Sequence, residues 1–287
     1  MTDAPAALRR LLAGPGLVRA PGVFDGLGAH LVRRAGFPAV YLTGAGVAVS
    51  GYGLPDVGLV TGSEMAGQVA LAVQASGLPV IADADTGYGS AINVVRTVRA
   101  YERAGAAAIQ LEDQVFPKRC GHLAGKEVVS SDEFVRKLSA ALAAREAGTV
   151  LIARTDARGP AGLDEAIARA NRYAAEGADL IFVEAPESRE EVERVAAEVS
   201  APLMFNVVPS GRSPEIADDE LERLGFSLAI YPLALLEPAA AAMAAALARM
   251  GGRHPGEIAG PAAIFGLVGL DEWTELGERH AERQTGS

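Results

Sequence analysis

Eight times along the chain, a short apolar run ends in a polar residue or glycine and gives way to a helix-like segment. The runs are Leu17 to Phe24, Ala39 to Leu42, Pro79 to Ala82, Ala107 to Leu111, Val150 to Ala153, Leu180 to Val183, Pro202 to Phe205 and Leu228 to Tyr231. Helical patterns fill most of the gaps: Ser63 to Ala75, Ala91 to Ala104, Ser131 to Glu146, Leu163 to Glu176, Arg189 to Val199 and Ala217 to Leu224. Continuous apolar strands joined by helices are the mark of a parallel sheet buried on both faces, and eight repeats predict a closed α/β (β/α)₈ TIM-type barrel. Ser131, Asp132 and Glu133 supply a cap and early carboxylates for one helix, while Gly105, Gly148, Gly177 and Gly225 stand where helices should stop. A doubly wound open sheet would need a glycine-rich phosphate turn after its first strand, which Gly22-Val23-Phe24-Asp25-Gly26 does not match. The length of 287 residues suits one barrel, which takes about 250. Residues 1–250 are assigned to the barrel and 251–287 to a C-terminal helical extension.

Composition narrows the function classes. A net charge of -10 argues against binding nucleic acid or an anionic membrane, since both need a basic patch. One cysteine and 4 histidines cannot build an internal disulfide or a Cys/His zinc cluster, which fits a reducing cytoplasm. Arg9-Arg10-Leu11-Leu12 reads as a short amphipathic helix, because Gly14, Pro15 and Gly16 interrupt any export signal. The Ala-rich run from Pro238 to Met250 is too short to span a bilayer, which takes about 20 residues.

In such a barrel the C-terminal strand ends carry the chemistry. Here they bear Thr43, Asp83 with Asp85, Glu112, Arg154, Glu184, Asn206 and Tyr231. Asp83-Ala84-Asp85 on an extended strand would present both carboxylates to one side. Beside Glu112 they repel one another unless a hard cation intervenes, so Mg²⁺ is expected, with Asp56 joining the outer ligands. The loop from Gln114 to Lys126 exceeds an ordinary connection and holds Lys118-Arg119-Cys120-Gly121-His122. Its cations are expected to lower the Cys120 pKa toward a thiolate or a finely balanced acid. Arg154 offers a fork for a substrate carboxylate, whereas Arg158 reads as a surface residue.

Together with Tyr41-Leu42-Thr43-Gly44, Gly53-Leu54-Pro55-Asp56, the Asp83 to Gly89 turn, Leu111-Glu112-Asp113-Gln114, Ile152 to Asp156 and Tyr231-Pro232-Leu233, these motifs resemble the isocitrate lyase and phosphoenolpyruvate mutase superfamily. Within it the chain is similar to 2,3-dimethylmalate lyases, methylisocitrate lyases and carboxyvinyl-carboxyphosphonate phosphorylmutase-like proteins. The resemblance implies a homotetramer that exchanges its last helices, and an oxyacid substrate held at Mg²⁺, with Mn²⁺ as a substitute. It implies metal contacts from Asp83, Asp85, Asp56 and Glu112, and substrate contacts from Tyr41, Thr43, Gly44, Ala45, Asp83, Gly121, Arg154, Glu184, Asn206 and Pro232. Cys120, Lys118, His122 and Arg154 take the catalytic roles. The Cys-Gly-His loop resembles that of the carbon–carbon lyases.

Two departures bear on the substrate. Val208 stands where methylisocitrate lyases carry a threonine, and Glu237 replaces a basic residue, so a third carboxylate loses its partners. The expected reaction is Mg²⁺-dependent cleavage of a 2-alkylmalate or dimethylmalate-like 2-hydroxy diacid to an α-keto acid and a carboxylic acid. The alternatives are a phosphorus–carbon mutase, a decarboxylase or hydrolase of the same superfamily, and a silent metabolite-binding barrel.

Overall fold

The computed structural model describes residues 3–123, 125–253 and 256–285. Ala124 of the 114–126 loop and parts of the 251–287 extension lie outside the described residues. Eight parallel strands close in sequence order: β1 Val18–Val23, β2 Val40–Leu42, β3 Val80–Asp83, β4 Ala108–Glu112, β5 Val150–Thr155, β6 Leu180–Val183, β7 Leu203–Asn206 and β8 Phe226–Tyr231. Each falls on one of the eight apolar runs, and β1 pairs with β8 to complete the barrel, Val18 opposite Leu228. Helices Ala91–Ala104 and Leu163–Glu176 begin and end where their periodicity places them.

Two hydrophobic layers follow from the period-two alternation of strand side chains. Val40, Ala82, Ile109, Leu151 and Ile181 face outward to pack against the helices. Tyr41, Ile81, Ala108, Ile152, Phe182, Met204 and Leu228 fill the interior. The same inward file runs on into the site: Ile81 leads to Asp83, Ala108 through Gln110 to Glu112, Ile152 to Arg154, and Met204 to Asn206. Polarity therefore appears in the barrel only at its C-terminal mouth, Gln110 being one layer deeper.

The opposite end is closed by the helix Ala4–Ala13, capped by Asp3, whose Leu8 inserts fully buried into the interior layer. Arg9 fastens it by donating to Gly148 O at 2.8 Å and to Asp179 Oδ1 at 2.9 Å. At the C-terminal side the helix Leu236–Arg249 leaves Met243 and Leu247 exposed, and Leu270–Thr285 leaves Trp273 and Leu276 exposed. Among the described residues no helix is long and apolar enough to cross a membrane.

One local expectation is corrected. Strand β3 ends at Asp83, and Asp85 lies beyond it in the left-handed region at φ 47°. Its N–H donates to Asp83 Oδ1 at 3.2 Å, a side-chain turn that competes with the extended form. Gly87 at φ 84° then permits the close approach of Val94, which an added Cβ would meet at 2.5 Å. Tyr88, Ala185 and Ser210 also carry positive φ, so strained backbone gathers in the loops after β3, β6 and β7.

Candidate active site

Asp83, Asp85 and Glu112 each present one oxygen within 4.8 Å of the others. The strands bring Asp83 and Glu112 together, and the turn after β3 folds Asp85 onto them. Burial and the neighbouring Asp83 and Asp56 push Asp85 up to about 6, although Lys118 opposes this. Burial likewise holds Glu112 well above the carboxylate range, and its Oε1 has no hydrogen-bond partner among the described residues. Six buried carboxylates line this mouth, Asp56, Asp83, Asp85, Glu112, Asp156 and Glu184, against three buried cations, Lys118, Lys126 and Arg154. All-oxygen donors, an orphaned carboxylate oxygen and an excess of buried negative charge fit a hard divalent cation. Gly44 lets the backbone approach this cluster: its N–H donates to Asp83 Oδ2 at 3.3 Å, and an added Cβ would lie 2.9 Å from that oxygen.

Asp56 is placed differently from expectation. It pairs with Lys118, whose ammonium also lies 2.9 Å from Asp85 Oδ1, and is not one of the three clustered carboxylates. Burial would lower the Lys118 pKa, but Asp56, Asp85 and Glu112 outweigh it and keep the ammonium firmly charged. The remaining positions follow the strand ends. Tyr41 donates to Gln110 Oε1 at 3.4 Å, and Gln110 passes on to Asp83 Oδ1 at 3.4 Å. Thr43 caps the short helix Gly44–Val47 by accepting from Gly46 N at 3.2 Å. Ala45 only packs against the outer layer, and Pro232 lies against Gly22 at the end of β8. Val208 is buried in the outer layer.

Arg154 shows a second difference. Its expected fork is engaged by the protein, with Nε 2.9 Å from Asp156 Oδ2 and Nη2 3.0 Å from Asp156 Oδ1. Nη1 lies 3.4 Å from Glu112 Oε2, and Nη2 also faces Glu184 Oε1 at 3.9 Å beneath Gly121. Burial would raise the Asp156 carboxyl, but Arg154 and Lys126 hold it well below the usual range. Arg158 instead pairs with Glu187 and Glu191, each at 2.7 Å, and serves the loop surface as expected.

The 114–126 loop is pinched at its neck. Gln114 bridges Val128, Val115 N donates to Glu127 O at 2.9 Å, and the Gln114 amide satisfies both Arg119 N and Arg119 O. Above that neck Gly121 is seated against Glu184 and Arg154 so closely that no Cβ would fit. His122 Nε2 lies 3.3 Å from Glu184 Oε1, and Nδ1 accepts from Arg212 N at 3.0 Å. Because Nδ1 accepts, the neutral ring carries its proton on Nε2 and is a donor toward the site. Burial lowers the His122 pKa despite Glu184, so the ring is neutral at pH 7.

The thiol reverses the expected thiolate. Cys120 is half-buried, and burial with the nearby Asp56 pushes it up to about 12, outweighing Lys118. Lys118 is neutralised by two carboxylates, Arg119 lies toward Gly125 and His122 is uncharged, so these three neighbours do not sustain a thiolate. The site thus holds a protonated thiol within the influence of Asp56 and Glu184. Asp113 and Asp156 stand within the quoted motifs and Lys126 ends the long loop, yet none of them carries an expected role; Gln110 and the Arg212 backbone lie in no motif at all.

Residues 8–250 match the phosphoenolpyruvate phosphomutase family. The chain is 48% identical over 239 residues to the 2,3-dimethylmalate lyase of Eubacterium barkeri, covering 83% of each. A crystal structure of 2,3-dimethylmalate lyase superposes with a TM-score of 0.84 at 40% identity, over 100% of this chain and 97% of that one. An oxaloacetate acetylhydrolase bound to 3,3-difluorooxalacetate gives 0.83 at 37% identity, over 97% of each chain. With strand order, mouth residues and near-complete coverage in agreement, the chain belongs to the phosphoenolpyruvate phosphomutase family, in the PEP mutase/isocitrate lyase superfamily.

Proposed function

We propose that the protein is a Mg²⁺-dependent carbon–carbon lyase that cleaves a substituted malate-type 2-hydroxy diacid into an α-keto acid and a carboxylic acid. The observation that carries this reading is the protonated Cys120 thiol in the loop whose Lys118 ammonium lies 2.9 Å from Asp85 of the Asp83, Asp85 and Glu112 cluster. Those three carboxylates would hold the ion, and Mn²⁺ can replace Mg²⁺ there. Bound Mg²⁺ would supply charge that orients the oxyacid and lowers the pKa of its hydroxyl.

The residues divide the remaining work. Arg154 presents Nη1 to the keto-acid carboxylate, with its plane fixed by Asp156. The hydroxyl loses its proton, a carbonyl forms, and the electrons of the broken carbon–carbon bond move to the departing fragment as an enediolate. Lys118, the Nε2–H of His122 and Asn206 face that developing charge. Cys120 delivers a proton to the departing carbon, and the proton released by the hydroxyl restores the balance overall. A closed 114–126 loop excludes water that would otherwise quench the carbanion.

Tyr41, Thr43, Gly44, Gly121, Glu184 and Pro232 shape the rest of the binding site in this reading. Val208 and Glu237 supply no cation for a third carboxylate. Alkyl-substituted diacids are therefore favoured over tricarboxylates. Screening malate derivatives with Mg²⁺ should release a keto acid, and chelator should abolish it until Mg²⁺ or Mn²⁺ is restored. Full turnover in a verified metal-free preparation rejects the metal role. The likeness to oxaloacetate acetylhydrolase supports a second reading, hydrolysis of a keto diacid, in which acetate and oxalate would appear instead.

A cytoplasmic homotetramer completes the proposal. The exposed apolar side chains on Leu236–Arg249 and Leu270–Thr285 suit an exchanged C-terminal region from about residue 251 onward. Light scattering should give a tetramer at micromolar concentration, and a stable monomer contradicts this assembly.

A further inference from the structure

We propose that Lys126 is a positioning residue that latches the Cys120–His122 loop onto the end of β5. The Lys126 ammonium is buried and makes two bonds, to Gly121 O at 2.6 Å and to Asp156 Oδ1 at 2.9 Å. Asp156 is itself anchored from below. Its N–H donates to Asp113 Oδ1 at 2.8 Å, and Asp113 is held by Thr155 Oγ1, Arg169 and Tyr173, also hydrogen-bonded. A rigid stack thus leads from the barrel wall through Asp156 to one ammonium, and from that ammonium to the backbone of the loop.

The same carboxylate orients Arg154. Asp156 therefore sets two things at once: the plane of the guanidinium and, through Lys126, the height of Gly121 over it. Gly121 sits where no Cβ fits between Glu184 and Arg154, so a small lift of this backbone moves Cys120 on one side and His122 on the other. Losing a charge-assisted hydrogen bond from a buried carbonyl shifts the loop toward its open form by about tenfold or more. The two bonds of Lys126 go to Gly121 O and Asp156, and not to the Asp83, Asp85 and Glu112 cluster. Its catalytic consequence rests on the lyase reading, while its effect on the loop does not.

The chain has a single cysteine, so intact-mass measurement of iodoacetamide labelling reports on Cys120 alone. Lys126→Met should label at least ~10-fold faster than the parent at the same pH, with an unchanged melting temperature, as one charge-assisted bond to the loop is lost. The sign separates the latch from simple electrostatics. Removing a cation disfavours a thiolate and by itself slows labelling. On the best keto-acid-releasing substrate, kcat should fall with KM little altered, and Lys126→Arg, which can span both acceptors, should recover most of it. Should Lys126→Met fail to fold, Lys126→Gln carries both readouts. Labelling of the folded variant at or below the parent rate overturns the latch. A parent without lyase turnover overturns the proposed reaction but leaves the labelling result to decide the latch.

Discussion

Cys120→Ser lowers kcat by the ~10²- to 10⁴-fold typical of a lost general acid, while metal and substrate binding change little. The serine keeps the shape of the side chain but holds its proton far more tightly than a thiol. Turnover is the place to look, because the departing carbanion collapses only when a proton arrives. The parent enzyme carries a companion signature. With Cys120 pushed up to about 12 and His122 lowered below 6.5, neither group ionises between pH 7 and pH 9, so kcat should lack a limb from either across that range. Wild-type turnover by Cys120→Ser on the best substrate removes cysteine acid catalysis and moves the mutase, decarboxylase and hydrolase readings ahead of the lyase.

Asp85→Ala and Asp83→Ala each lower activity by at least ~100-fold, about 2.7 kcal/mol of barrier. The two differ in what they do to the fold. Asp83 accepts from Gly44 N and Asp85 N, so its loss loosens two turns. Asp85 has its folded pKa raised to about 6 from 3.8. A carboxyl shifted upward favours the folded state at low pH, and that contribution disappears as pH rises from 3.8 through 6. At pH 7, without a bound cation, burial therefore works against Asp85 while its ion pair with Lys118 works for it, and Asp85→Ala should melt closer to the parent than Asp83→Ala even though it is inactive. Circular dichroism melts beside activity assays separate the outcomes. If both variants unfold, these carboxylates are structural.

The barrel was readable because buried strands impose period two on the chain, and a polar residue at the last inward step stands out against apolar neighbours. Asp83, Glu112, Arg154 and Asn206 were found in that way. Asp85 was placed correctly in the cluster for an incorrect reason, since a left-handed turn and not a strand brings it there. The chemistry of Cys120 was not readable from its neighbours along the chain. Lys118, Arg119 and His122 are adjacent in sequence, yet the fold commits one to carboxylates, turns one toward Gly125 and leaves one neutral. Lys126 and the Arg212 amide escaped notice because their partners are set by loop closure in three dimensions. A backbone donor leaves no trace in residue identity.

The helix Ala4–Ala13 gives the two ends of the barrel separate duties. The carboxylate cluster and the 114–126 loop lie at the mouth, while the floor is sealed by Leu8 and fastened by Arg9. A barrel needs no such stopper for its strands to pair, but an unsealed floor would admit water beneath the interior layer that supports Asp83 and Gln110. Variation at the floor should therefore alter how long each molecule survives and leave its rate of catalysis alone. Natural drift and engineering can work on durability from below without disturbing selectivity above.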